Sequence, residues 1–281
     1  MSKSIKSNHL INEKNYLLHI PLLFLAIYSV SPLLILFLNS FKSNTEVMGY
    51  PLNFPVIFRF QNYIDVWGTG NYWQAYKNSV TVGLITTITI CIISGFTAYS
   101  LSFFKSSKMG LIAIYFLSAT AIPAQIYIVP LYAYFQKLGL TNNLLGIIII
   151  YSAYYLPFSI FLLRSYFLSI PKEICDAAKI DGCSDSQIFW KVVLPLAKSG
   201  YATLVLILTY WTWNEFFFAV TFLQNAKVQT VSIRYLRFTE SHFTNFAYVS
   251  TGGVITILPI MFICILLQKR FIAGLTQGGL K

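Results

Sequence analysis

Apolar residues occur along this chain in long continuous runs, whereas soluble strands alternate apolar and polar positions and soluble helices are apolar on one face. A helix needs about 20 apolar residues to cross the roughly 30 Å hydrocarbon layer of a bilayer. Six runs are long enough, which predicts an all-α integral membrane protein with six transmembrane helices. The predicted spans are residues 17–38, 79–101, 110–135, 144–163, 201–223 and 250–267.

A single long polar stretch, residues 169–200, separates the fourth and fifth predicted spans. Its pattern predicts a first short helix that begins near Pro171, a residue suited to a first helical turn. Ile174, Ala177 and Ala178 have the three-and-four spacing that puts side chains on one helix face. We therefore expect this helix to have a face of small and apolar residues.

A second short helix is predicted in the same polar stretch. Gly182 can adopt the left-handed conformation that ends a helix. Ser184 and Gln187 have the spacing of a capping box, which predicts a helix start at this point. We expect the helix to continue through Val193 and to be stopped by Pro195.

Composition and charge support a membrane location and predict its orientation. The chain has 281 residues, of which 56% are hydrophobic and only 10% are charged, unlike a soluble protein. With six spans, both termini lie on one side together with residues 102–109 and 164–200, and this side holds thirteen of the twenty Lys and Arg residues. The positive-inside rule makes that side cytoplasmic. The net charge of +11 is thus mostly a matter of topology, and we expect no nucleic-acid partner.

Several kinds of chemistry lack the residues they require. Three histidines and four cysteines do not occur in pairs with metal-ligand spacing, so no metal site is predicted. No glycine is followed by lysine, which excludes a Walker-type phosphate loop and means that ATP hydrolysis has to come from another polypeptide. Glu215 is the one carboxylate within the predicted spans, which argues against ion-coupled transport. We do not expect this chain to be an enzyme.

The run from Glu173 to Gly182, followed by Phe189 and by Leu194-Pro195-Leu196, resembles the EAA loop of permease subunits of binding-protein-dependent ABC importers. The resemblance is strongest to the sugar-importer branch, in particular to the maltose-type second permease. It implies a MetI-like type I permease whose EAA loop is a cytoplasmic coupling helix. Asp176 and Cys183 depart from the usual Glu and Ala of this motif.

This resemblance also implies partners and site residues. The partners would be a homologous second permease, an ABC ATPase dimer that binds ATP and Mg, an extracytoplasmic solute-binding protein, a sugar and membrane lipid. This chain would bind no cofactor itself. The residues implied to couple to the ATPase are Glu173, Asp176, Ala177, Ala178, Asp181 and Gly182. A tail reaching the ATPase interface would contain Thr276, Gln277, Gly278 and Gly279.

Gln125, Asn214 and Glu215 are candidates for the translocation path. Gln125 follows a proline in the third predicted span, which is either a bent helix lining a cavity or a kinked packing helix. Glu215 either lines the path, as the family's similar Trp-Asn-Glu-Phe implies, or pairs with a neighbouring polar group near the outer end of its helix.

The sequence predicts four divisions and leaves the transported solute open. These are a polar, poorly ordered lead (1–16), a first span with an extracytoplasmic loop (17–71), a permease core with its coupling loop at 169–200 (72–268), and a cytoplasmic tail (269–281). The resemblance favours a carbohydrate such as a disaccharide or oligosaccharide. An importer of the same architecture for amino acids, peptides or inorganic anions is an alternative, as is a secondary transporter or channel.

Overall fold

The computed structural model describes residues 3–104 and 107–279, with side chains over 19–104 and 108–266. The described residues form helices and connecting segments, with no β-strand. The helices are α1 (Lys3–Ser40), α2 (Asn44–Gly49), α3 (Gln61–Thr69), α4 (Tyr72–Phe103), α5 (Ser107–Thr120), α6 (Ala124–Lys137), α7 (Leu144–Phe167), α8 (Lys172–Ile180), α9 (Asp185–Ile188), a π-helical turn (Phe189–Val193), α10 (Leu194–Leu196), α11 (Lys198–Asn214), α12 (Phe217–Phe222), α13 (Val231–Ser241) and α14 (Phe246–Gly279).

Within the described residues, four helices are long and apolar enough to cross a membrane. They are His19–Ser40 of α1, all of α4, all of α7, and Phe246–Leu266 of α14. Two sharply bent helix pairs also have the required length and composition. Lys108–Thr120 meets Ala124–Lys137 at 94°, and Asp185–Leu196 meets Lys198–Asn214 at 76°. If each bent pair is one span, the number of spans is six.

Residues 71–237 and 256–281 form one compact unit. Its core is made by α4, α7 and α11, which pack against one another. Gly200 allows α11 to approach α7 closely, because a Cβ at this position would lie 2.6 Å from the Tyr166 ring. The buried face of α7 supplies side chains with no solvent exposure, which are Ile147, Tyr151, Ile160, Leu163 and Phe167.

Residues 1–70 and 238–255 form a second compact unit. Its centre is Lys42, which is only 1% exposed. The Lys42 ammonium donates to Asn39 Oδ1 at 2.8 Å and to the carbonyls of Tyr50 and Pro51 at 3.0 and 3.1 Å. Asn62 donates to the carbonyls of Ser40 and Lys42. A buried charge is tolerated here because all three of its donors have acceptors.

Two of the predicted divisions differ from the structure. Residues 3–16, predicted as a separate polar lead, are helical and continue into the first span. A helix that has already formed extends at little cost through residues that contain no Gly or Pro. Residues 238–255, predicted to belong to the permease core, group instead with the N-terminal unit.

Candidate functional site

A cavity of about 990 Å³ lies within the unit formed by residues 71–237 and 256–281. This volume is at the upper end of the roughly 300–1,000 Å³ typical of small-molecule sites. Its walls are formed by α7, by the junction of α5 and α6, and by the junction of α11 and α12. Gln125, Asn214 and Glu215, the three residues predicted for a translocation path, all line it.

Gln125 reaches the cavity because the third predicted span is broken. α5 ends at Thr120, and α6 starts at Ala124 in a direction 94° away. Pro123 lies in the break with an extended backbone, and the residue before a proline is disfavoured in helical conformation. The third predicted span, residues 110–135, is therefore two helices joined at a sharp bend. The Gln125 side chain is exposed and makes no hydrogen bond to any other described residue.

Glu215 lies at a second break, where α11 gives way to α12. Its backbone is extended (φ −62°, ψ 129°), and its carboxylate turns towards the start of α12. There Oε1 accepts the Phe218 N–H at 2.8 Å, and Oε2 accepts the Ala219 N–H at 3.1 Å. Oε2 also accepts the hydroxyl of Tyr151 on α7. The carboxylate thus satisfies amides that the start of a helix leaves without partners.

The fifth predicted span, residues 201–223, is consequently two helices. No Gly or Pro lies at this break, and hydropathy alone therefore gave no sign of it. The Ser232 hydroxyl donates to the Glu215 carbonyl at 2.8 Å and holds the extended residue from the other side. Glu215 both pairs with neighbouring polar groups and lines the cavity.

Tyr151 is a site residue that the sequence analysis missed. Tyr151, Tyr154 and Tyr155 have the three-and-four spacing of one helix face, which was a usable signal. Tyr151 is fully buried, whereas Tyr154 and Tyr155 line the cavity. The Asn214 amide donates to the Tyr210 carbonyl at 2.9 Å, which leaves its side-chain oxygen available for other partners.

Aromatic rings form much of the remaining cavity wall. Trp211 stacks on Tyr155 with ring centroids 5.2 Å apart, and Phe158 contacts the same indole at 4.7 Å. Tyr154 packs edge-on against Phe218 at 5.2 Å. The cavity therefore combines flat apolar surfaces with a small number of polar groups, as binding sites for small molecules generally do.

The polar stretch at 169–200 begins with α8, which follows Pro171. Cys175 is its buried residue, and Ala178 packs partly against the core. Burial raises the pKa of the Cys175 thiol, and the adjacent Asp176 carboxylate raises it further. Ile174 and Ala177 are exposed, so the predicted common face with Ala178 does not pack inward as a unit. The other residues predicted to couple to an ATPase are also exposed, namely Glu173, Asp176, Asp181 and Gly182.

The turn and the second helix start follow the predicted pattern. Gly182 ends the first helix with φ +81°, a conformation that favours glycine. The Ser184 hydroxyl accepts the Gln187 N–H, and the Gln187 side chain accepts the Ser184 N–H at 2.9 Å. Lys179 and Asp185 form a half-exposed ion pair across the turn at 3.5 Å.

The second helix is longer than predicted. A π-helical turn over Phe189–Val193, closed by the Leu194 N–H donating to the Phe189 carbonyl, continues into α10. Pro195 therefore does not stop the helix after Val193; the bend comes at Ala197. A proline is tolerated where the N–H would have no helical partner, as in the first turn that follows the π turn.

Phe189 connects this stretch to the membrane helices. Its ring stacks on Phe96 of α4 with centroids 4.6 Å apart and meets Tyr99 edge-on at 5.5 Å. Gly95 on the same helix makes room for Tyr201, since a Cβ there would collide with the Tyr201 hydroxyl, whereas it would be in ordinary contact with Phe189 at 3.4 Å. A movement of the second short helix would therefore act directly on α4.

The predicted tail residues Thr276, Gln277, Gly278 and Gly279 lie in the last turns of α14. Their side chains lie outside the described residues. Within the described part of the chain, no group of three or more His, Cys, Asp or Glu side chains could hold a metal ion.

A comparison with protein families gives one match, which extends over residues 15–277. It is the binding-protein-dependent transport system inner membrane component family. The chain belongs to this family. It is accordingly a membrane permease subunit with the MetI-like fold, and its resemblance to ABC importer permeases is confirmed.

Individual relatives match this permease over almost its entire length. The probable ABC transporter permease protein YurM of Bacillus subtilis is 33% identical over 92% of this chain and 86% of its own. The arabinooligosaccharides transport system permease protein AraQ of Halalkalibacterium halodurans is 33% identical over 95% and 96%. A chain from a solved bacterial ABC transporter involved in the import of the acidic polysaccharide alginate has a TM-score of 0.78 at 26% identity, covering 96% of this permease and 99% of that chain.

Proposed function

We propose that this chain is the permease subunit of an ATP-driven ABC importer that carries a carbohydrate across the cytoplasmic membrane. The cavity at the two broken spans carries the proposal. Sugars present hydroxyl groups at their edges and flat C–H surfaces on their rings. The Gln125 amide and the Asn214 oxygen can meet hydroxyl groups, and the Trp211 ring can stack on a sugar face. The relative named for arabinooligosaccharide transport supports the same class of solute.

The proposed complex contains the partners that an importer of this kind requires. A homologous second permease would supply the other wall of the path, and a solute-binding protein would deliver the carbohydrate from outside. An ABC ATPase dimer would bind ATP and Mg, since this sequence has no Walker-type loop. The distribution of Lys and Arg supports cytoplasmic termini and a cytoplasmic location for residues 169–200.

The exposed surface of residues 172–182 supports docking on the ATPase. Ile180 is 87% exposed and Ile174 is 41% exposed, although both are large apolar residues. Apolar side chains exposed on a polar segment mark surfaces that contact other proteins. In the proposed cycle, ATP-driven closure of the ATPases moves this segment as a lever. Phe189 passes the movement to α4, which switches the cavity between inward and outward access.

The proposal is tested by ATP-dependent uptake. The permease pair, the ATPase and the binding protein are reconstituted in liposomes and offered a panel of radiolabelled disaccharides and oligosaccharides. We expect uptake of at least one saccharide that requires ATP on the ATPase side. Uptake that persists without ATP would contradict the proposal in favour of a secondary transporter or channel, and ATP-driven uptake of amino acids alone would contradict the assignment to carbohydrates.

Replacing Gly182 with valine tests the lever. At φ +81° a β-branched residue is strained by about 1–2 kcal/mol, which distorts the turn between the two short helices. We expect Gly182→Val to insert into the membrane but to lose at least about 90% of ATP-driven uptake, measured in the same liposomes.

Gly139→Val is the matched control for this variant. Gly139 also has a positive φ, +66°, and open space around its Cβ position, but it lies between α6 and α7 and outside the coupling segment. Its uptake should fall much less than that of Gly182→Val. Equal losses in the two variants would indicate general strain and contradict the lever, as would normal uptake by Gly182→Val.

A further inference from the structure

The electrostatics of the cavity indicate which carbohydrates it accepts. Its lining contains one acidic residue, Glu215, and no Lys, Arg or His among the described residues. The polar groups besides Glu215 are neutral amides and hydroxyl groups, so a solute in the cavity meets no positively charged side chain from this chain.

No Lys, Arg or His among the described residues that line the cavity offsets the charge on Glu215. Its oxygens are occupied by three donors, two backbone N–H groups and the Tyr151 hydroxyl. These three donors stabilise the ionised carboxylate and oppose the effect of burial, which favours the neutral acid. Neutral donors leave the negative charge in place, and in a cavity of low dielectric its field extends further than in water.

An acidic sugar would therefore lose hydration without gaining a positively charged partner from this chain. Neutral donors such as the Gln125 amide and the Tyr154 hydroxyl replace only part of the hydration of a carboxylate, and the nearby Glu215 adds repulsion. A neutral sugar needs only the hydrogen bonds and stacking surfaces that the cavity supplies. Tyr154 is half exposed at the wall, and its hydroxyl makes no hydrogen bond to another described residue.

We infer that this permease accepts neutral saccharides and excludes those carrying carboxylates. Glu215 is the residue that makes the electrostatic potential in the cavity negative. The inference rests on the proposed function and goes beyond it by naming the charge class of the carbohydrate. It also separates this permease from its solved relative, which belongs to a transporter involved in the import of the acidic polysaccharide alginate.

The experiment measures binding to the complex of both permeases and the ATPase in nanodiscs, without the binding protein, so that its own selectivity does not contribute. The probes are neutral trisaccharides, each paired with the same trisaccharide oxidised at one C6 hydroxymethyl group to the carboxylate. Saturation-transfer NMR reports binding. We expect a neutral member to bind and its oxidised partner to bind roughly 100-fold more weakly.

Adding a positive charge to the cavity wall tests whether this chain causes the selectivity against carboxylates. Gln125→Arg adds a cation to the cavity wall, and Gln125→Met is the uncharged control of similar size. We expect the arginine variant to reduce the preference for the neutral sugar by about tenfold. The methionine variant loses the amide that meets sugar hydroxyl groups, so it should weaken the binding of both sugars alike and keep the ratio between them. If the oxidised sugar binds the unmodified complex as well as the neutral one, the inference is overturned.

The same experiment distinguishes failure of the inference from failure of the proposed function. If no saccharide binds and the uptake assay also shows no carbohydrate transport, both the proposed function and the inference are wrong. If saccharides bind and are transported regardless of charge, the proposed function stands and only the inference is wrong. An unchanged preference in Gln125→Arg would show that the selectivity arises outside this wall.

Discussion

The coupling segment at 169–200 and the cavity are both made from interrupted helices, but different interactions hold them. In the coupling segment the contacts are local. Gly182 makes the turn, and Ser184 caps the next helix through a residue three positions away. In the cavity the decisive contact joins Tyr151 and Glu215, which are 64 residues apart. The coupling segment can therefore take its shape from its own sequence, whereas the break at Glu215 depends on the packing of α7 against α11.

The largest effect is expected from removing the carboxylate at the fifth-span break. Glu215→Ala leaves two amides and the Tyr151 hydroxyl without an acceptor, at a cost of about 3–5 kcal/mol in the free energy of unfolding. We expect a lower melting temperature of the purified complex and almost no uptake. Glu215→Gln keeps one acceptor oxygen and should recover part of the stability. A normal melting temperature for the alanine variant would show that the break does not depend on this residue.

The next largest effect separates two tyrosines of the same helix. Tyr151→Phe removes the hydrogen bond to the Glu215 carboxylate, worth about 1.5–3 kcal/mol. Tyr154→Phe removes a hydroxyl that bonds to no other described residue and keeps the ring against Phe218. Thermal denaturation should therefore show clear destabilisation for the first variant and little for the second. Equal destabilisation would contradict the long-range contact as the support of the break.

The smallest effect is expected in the coupling segment. Ser184→Ala removes a helix cap worth about 1 kcal/mol, and the loss should remain local. Hydrogen–deuterium exchange of the amides at 185–193 should become about fivefold faster, while the global melting temperature changes little. Ser186→Ala, an exposed position with no side-chain hydrogen bond to another described residue, is the control. A large drop in melting temperature would show that this segment is not locally determined.

The difference between local contacts in the coupling segment and long-range contacts at the cavity explains which features the sequence could predict. The glycine turn and the capping box were predictable because their partners lie within four residues. The break at Glu215 was not, since the sequence there contains no residue that disfavours a helix. Pro123 was visible in the sequence, but its effect was not: Pro130, seven residues later, lies inside an intact helix. Whether a proline breaks a span depends on neighbours that a single sequence does not identify.

Candidate residues were easier to predict than their contacts. Gln125, Asn214 and Glu215 line one cavity, and their role in translocation stays a prediction. Tyr151 could be assigned to Glu215 only with the structure. In the coupling segment, the exposed positions follow the motif, while the buried position is Cys175, which stands between the expected apolar residues. Burial depends on where α8 meets the core, and the spacing of residues on the helix does not determine this.

The π-helical turn at Phe189–Val193 has a consequence for how the second short helix of the coupling segment can vary in length. Such a turn contains one residue more than an α-helical turn, so deleting one residue there would leave a regular helix between the Ser184 cap and the Ala197 bend. Length can thus change by one position at this point while both anchors keep their local structure. The residues after the deletion would keep nearly the same orientation around the helix axis, because one full turn replaces another.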